Sequence, residues 1–177
     1  MKLKTMISVL CIAFSSFVIM AEETKRPNII FVMGEDASAE HFGLYGNDAA
    51  NTPNIDALGK SGIVFTNAYA SSPQCSPTKA SILTGRMPWM MNHPMIDHRL
   101  RFNVKFKSYA DILEQEGYIT GYQSKGGWRK VYNRDPGPRG KNPAGKAFRG
   151  LESFLSELPD GKPFCYWAGI GSAHRPF

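Results

Sequence analysis

The run Ile29-Ile30-Phe31-Val32-Met33 limits what this chain can fold into more than any other feature. It is apolar at every position, follows Pro27-Asn28 and stops at Gly34. An unbroken apolar run this short, bounded by turn residues, predicts a strand buried on both faces, as in a parallel sheet. Two acids, Glu35 and Asp36, come next. They fall at the C-terminal end of the strand, the edge of an open α/β sheet where ligands bind.

The rest of the chain alternates in the same sense. Thr52 as N-cap and Pro53 at the first helical position open a short helix that Gly62 ends. Ile63-Val64-Phe65-Thr66-Asn67-Ala68-Tyr69 predicts a second strand. After a Ser/Pro turn come Cys75-Ser76-Pro77-Thr78-Lys79 and a helical stretch over 80–84, closed by Gly85. Ser108 to Gln115 predicts a helix with Tyr109, Ile112 and Leu113 on one face and Gly117 at its end. Tyr118 to Tyr122 is a third strand, leading to Ser124-Lys125-Gly126-Gly127. From Trp128 to Gly145 the Pro and Gly content predicts a surface loop. A helix from about Gly150 to Leu158 and a strand from Pro163 to Ala168 bring the chain near His174. The alternation predicts an α/β fold, doubly wound around a largely parallel sheet. With 177 residues the chain suits one modest domain rather than two.

Residues 1–21 carry the compartment signal. Lys2 and Lys4 precede an almost wholly apolar stretch from Met6 to Met20, and Ala21 is followed by Glu22-Glu23-Thr24-Lys25. This layout predicts a secretory signal peptide, too short for stable membrane insertion, ahead of a domain at 22–177, and so a secreted or periplasmic protein. The net charge is +6, and much of the basic excess lies between Arg99 and Arg149, spread among Gly, Pro and aromatic residues with no nucleic-acid-binding motif. A nucleic-acid partner is therefore not expected. Cys75 and Cys165 remain in the mature chain. In an oxidising compartment they could pair, yet one sits in a Ser/Pro turn and the other in an apolar run.

Four segments stand at or just beyond the ends of predicted strands: Glu35-Asp36, Cys75 to Lys79, Lys125 and His174. Strand ends of one sense gather on one edge of a parallel sheet, so the four could converge. Carboxylates suit Ca²⁺ or Mg²⁺, and Lys with His suits an oxyanion. Taken singly, each has a plainer reading: a solvated turn for the acids, surface positions for Lys125 and His174, and half a disulfide for Cys75.

Taken in order, several stretches resemble one family, the type I sulfatases of the alkaline-phosphatase-like superfamily. They are Pro27-Asn28-Ile29-Ile30-Phe31 leading to Glu35-Asp36, Leu44-Tyr45-Gly46, Thr52-Pro53-Asn54-Ile55-Asp56-Ala57-Leu58, and Cys75 through Arg86. Gly117-Tyr118-Ile119-Thr120-Gly121 and Lys162-Pro163-Phe164 with His174-Arg175-Pro176-Phe177 complete the set. The resemblance implies that a maturation enzyme oxidises Cys75 to formylglycine, whose hydrated aldehyde attacks sulfur. It implies Glu35, Asp36 and the modified Cys75 as ligands of Ca²⁺, in preference to Mg²⁺. Lys79, Lys125 and His174 are implied as catalytic partners of Cys75.

The implied reaction is hydrolysis of sulfate esters or sulfamates, with a sulfated carbohydrate or small molecule as substrate. Two alternatives stay open: a phosphodiesterase or phosphonate hydrolase of the same superfamily, and a catalytically impaired glycan-binding relative. Four positions depart from the family pattern. Glu35 stands for an aspartate, Lys79 for an arginine, Gly127 for a histidine and Ala173 for a proline. Lysine carries the charge of arginine without its planar fork, so the exchange at position 79 bears on both conversion of Cys75 and catalysis. The resemblance also implies a catalytic domain incomplete at its C-terminus, with further calcium ligands and a further lysine lying later. The 177 residues alone are accordingly expected to aggregate readily, to ignore Ca²⁺ and to lack useful turnover.

Overall fold

A computed structural model describes residues 25–91, 106–123 and 142–171. In chain order they form β1 (Ile29–Gly34), α1 (Pro53–Ser61), α2 (Cys75–Thr84), α3 (Tyr109–Gln115), β2 (Ile119–Gln123), β3 (Lys146–Ala147), α4 (Leu151–Leu155) and β4 (Phe164–Ile170). Short 3₁₀ turns cover Ala39–His41, Gly43–Tyr45 and Pro88–Met91. The strands make one sheet in the order β1-β4-β2-β3, and every pairing is parallel.

β4 is the hub. Its register sets Phe31 opposite Trp167 on one side and Tyr122 opposite Trp167 on the other. Because side chains alternate along a strand, Trp167 and Tyr166 point to opposite faces, and each anchors a core. Trp167 is buried with Ala80 and Leu83 of α2, Met91 and Tyr122, while Met33 and Tyr109 pack against them. Tyr166 is buried with Phe164 and Phe154 of α4, with Phe148 and Leu151 alongside. Helices thus lie on both faces, as the doubly wound reading expects.

The quoted motifs turn out to be structural knots. Thr52 caps no backbone amide of α1. Its hydroxyl instead donates to Asp56 Oδ1 at 3.0 Å and accepts from the Gly43 N–H at 3.0 Å. The same Asp56 oxygen accepts from the Leu44 N–H at 2.9 Å, tying the Leu44-Tyr45-Gly46 turn to the helix. Asn28 accepts from the Phe164 N–H at 3.2 Å and so aligns β1 with β4. Ser108 caps α3 in a reciprocal box with Asp111.

Four expectations need correction. β1 is not buried on both faces: among the described residues it lies at the edge of the sheet, and Ile30 and Val32 are 48% and 60% exposed. They lie on the face that α4 covers only over β2 and β4, and α4 is five residues long, half the expected helix. Residues 63–69 form no strand. Ile63, Phe65 and Tyr69 are 83%, 68% and 90% exposed, and no neighbouring strand among the described residues offers them a ladder. Ile112 does not share the buried face of α3 but is 51% exposed, because Ala110 takes the inward position. Cys75 and Cys165 are both free, so the disulfide reading falls.

Gly121 shows how closely α4 sits on the sheet. A Cβ there would stand 2.7 Å from a Phe154 ring carbon and 2.9 Å from one of Phe148. Phe154 is 1% exposed and edge-on to Phe148, with centroids 5.0 Å apart, so an added methyl must displace a packed pair of rings. Gly121→Ala is therefore expected to lower stability by about 1–3 kcal/mol, read as a drop in the urea midpoint. An unchanged midpoint would mean that this face is loosely filled.

Candidate active site

α2 begins on Cys75 itself, five residues earlier than the helical stretch read from the sequence. Pro77 is tolerated because it lies in the first turn, where N–H groups have no intrahelical acceptor. The loop entering the helix is pinned from within: the Thr78 hydroxyl donates to the Ser72 carbonyl at 2.5 Å, and the Thr78 N–H to Gln74 at 3.2 Å. Gly85, at φ 64°, ends the helix in the left-handed conformation that favours glycine.

One turn after Cys75, and so on the same helix face, Lys79 is buried and forms an ion pair with Glu35. This contact ties α2 to the end of β1 across 44 residues. Glu35 is itself held in the sheet, its N–H donating to the Ile170 carbonyl at 2.9 Å. Asp36 follows at φ 54°, a left-handed conformation that aspartate tolerates better than most residues. The structure therefore brings Glu35, Lys79 and the Cys75 turn to one sheet edge, with Asp36 adjacent in the chain. Lys125, Gly127, Ala173 and His174 lie outside the described residues.

The two thiols differ in setting. Cys165 is buried in β4, and loss of solvent pushes its thiol up to about 11. At neutral pH it stays protonated and unreactive. Burial, with Cys165 nearby, also raises the Tyr109 phenol far above its usual range. Cys75 is only half-buried, at the first residue of α2, where peptide N–H groups have no intrahelical acceptor.

Calcium takes roughly six to eight oxygen ligands. The acids at this edge are chemically suitable, but Glu35 is ion-paired to Lys79. No group of three or more His, Cys, Asp or Glu among the described residues could hold a metal ion. These residues alone do not make a calcium site.

The pairing of Glu35 with Lys79 was missed in the sequence, where one was read as a metal ligand and the other as a substitute arginine. A signal was present: the two positions that depart from the family pattern with an acid longer by one methylene and a cation without a fork are the two in contact.

Comparison with known proteins decides the family. The sulfatase family model matches residues 27–163. The chain belongs to the sulfatase family. An N-acetylglucosamine-6-O-sulfatase of Bacteroides thetaiotaomicron is 38% identical over 104 residues, covering 59% of this chain and 18% of the relative. An ulvan-active sulfatase of Formosa agariphila is 32% identical over 148 residues, covering 80% and 29%. The solved structure of BT4656 in complex with its substrate D-glucosamine-2-N,6-O-disulfate superposes with a TM-score of 0.69 at 26% identity, covering 85% of this chain and 35% of that one. The phosphonate monoester hydrolase of Agrobacterium radiobacter reaches 0.63 at 16% identity, covering 84% and 41%. That last likeness concerns the fold alone. The sulfatase chain thus spans between 18% and 29% of the length of the two curated relatives named.

Proposed function

We propose that this chain forms part of a secreted or periplasmic sulfatase that hydrolyses sulfate esters of a carbohydrate through formylglycine made from Cys75. The observation that carries the proposal is Cys75 at the first residue of a ten-residue helix, half-buried, one turn before a buried lysine. The named activities of the relatives support the substrate class, since they act on N-acetylglucosamine 6-sulfate and on ulvan. Residues 1–21 support export as a signal peptide ahead of the domain at 22–177, and no helix among the described residues is long and apolar enough to cross a membrane.

The chemistry follows from a hydrated aldehyde at position 75. One hydroxyl oxygen of the gem-diol attacks sulfur, the bond from sulfur to the substrate's alcohol oxygen breaks, and the alcohol leaves with a proton. The N–H groups opening α2, and Lys125 and His174 as the family resemblance has them, offset charge on the sulfate oxygens. The second hydroxyl then gives up its proton, its oxygen forms the aldehyde double bond, and the bond from carbon to the sulfate oxygen breaks. Sulfate departs and water restores the diol. Lys79 positions the edge by holding Glu35. Calcium is an expectation of the family resemblance, with Glu35 and Asp36 as two contributors, and no step here runs through it.

Peptide mass spectrometry of the gene product made in its own host, with its own maturation enzyme, tests this reading. A detectable fraction of Cys75 should have lost the thiol and carry an aldehyde, and the same preparation should cleave an aryl sulfate in preference to an aryl phosphate ester. Unmodified thiol throughout would remove the catalytic proposal and favour the glycan-binding alternative.

A further inference from the structure

A buried lysine beside an acid expected to meet a divalent cation is an electrostatic conflict. The Lys79 side chain is 9% exposed and that of Glu35 17%, and they are in direct contact. Charges this far from water require a counter-ion. Lys79 supplies that charge from within the chain, at the acid that would otherwise receive it from a metal. Its neighbours Ser76, Pro77 and Ala80 are buried too, so α2 cannot turn the ammonium out to solvent without unseating the helix. A doubly charged ion at Glu35 would sit close to this ammonium, and the repulsion would be poorly screened.

We propose that Lys79 is a built-in counter-ion that competes with divalent metal for Glu35 and keeps this edge folded and charge-balanced without one. The inference rests on the proposed function only for the choice of Ca²⁺ as the competing ion. It makes the exchanges at positions 35 and 79 a matched pair: the longer acid reaches the lysine, and the lysine, lacking a fork, presents a single point of charge.

Calcium titration of the gene product made in its own host, followed by calorimetry, with thermal unfolding in Ca²⁺ and in chelator, tests it without reference to turnover. Lys79→Met keeps the length and packing of the side chain while removing its charge. It should bind Ca²⁺ at least tenfold more tightly than the unmodified chain and melt lower in chelator, with Ca²⁺ restoring the difference. Glu35→Asp leaves Lys79 in place but shortens the acid out of its reach, and should also gain Ca²⁺ affinity. If Lys79→Met fails to fold in chelator and in Ca²⁺ alike, Glu35→Asp decides the matter. The proposal is overturned if neither variant binds Ca²⁺ more tightly than the original chain. Mass spectrometry at Cys75 reads the sulfatase proposal separately, so a missing aldehyde leaves the calcium result standing.

Discussion

Cys75→Ser is expected to abolish multiple turnover while leaving the sheet intact. Cys75 is half-buried at the start of α2 and belongs to neither packed core, so loss of its sulfur should cost little stability. The hydroxyl introduced can still attack sulfur, but its carbon carries no second hydroxyl. The sulfate ester then has no internal route to collapse, and release needs water at a crowded sulfur. We expect a fall in turnover on the order of 10³-fold or more, the scale seen when a nucleophile is removed. Intact mass spectrometry after exposure to substrate should show one added sulfuryl group per molecule. Steady turnover at the original rate would show that position 75 does not supply the nucleophile.

The fold was legible where the signal is local. Apolar runs at 29–33 and 163–168 and the helical pattern from Ser108 to Gln115, ended by Gly117, placed β1, β4 and α3 within a residue or two, because chain-local forces determine such elements. Residues 63–69 have the same strand composition, yet have no partner strand among the described residues. Composition reports what a segment can bury, and a ladder needs a second strand. The same reason explains the exposed Ile30 and Val32 of β1. Their pattern encodes a covered face, and α4 does not extend across it.

The candidate site was legible as a set of sequence positions but not as contacts. The place of Glu35 at this edge follows from the end of β1, whereas the Cys75 turn reaches it on α2, since no strand precedes that turn after β1. The partner of Glu35 does not follow in this way, because residues 44 apart meet only once the sheet and α2 are both placed. Reading each departure from the family separately assigned Glu35 to metal and Lys79 to the nucleophile. Their contact makes them partners first.

Trp167→Ala is expected to be the most damaging single change to stability. Trp167 has no exposed surface, lies in the hub strand, and packs against α2 through Ala80 and Leu83. Its ring is stacked with Tyr109 of α3 at 6.3 Å and tilted against Phe31 of β1 at 4.8 Å. Truncation would therefore open a cavity where β1, α2 and α3 meet, and losses of about 3–5 kcal/mol accompany such changes. Small domains hold only about 5–15 kcal/mol in total, so this chain should fall close to its limit. Ile112→Ala, at a residue 51% exposed on α3, serves as the comparison and should stay within about 0.5 kcal/mol. Urea unfolding of both variants reads the difference as a shift in midpoint at constant slope. Since α2 carries Cys75 and Lys79 and rests on Trp167, the same variant should weaken the seating of the Lys79 ammonium against Glu35 before the sheet itself gives way. A loss below about 1 kcal/mol would mean that the face beneath α2 collapses around the gap, and that the position of Cys75 does not depend on this core.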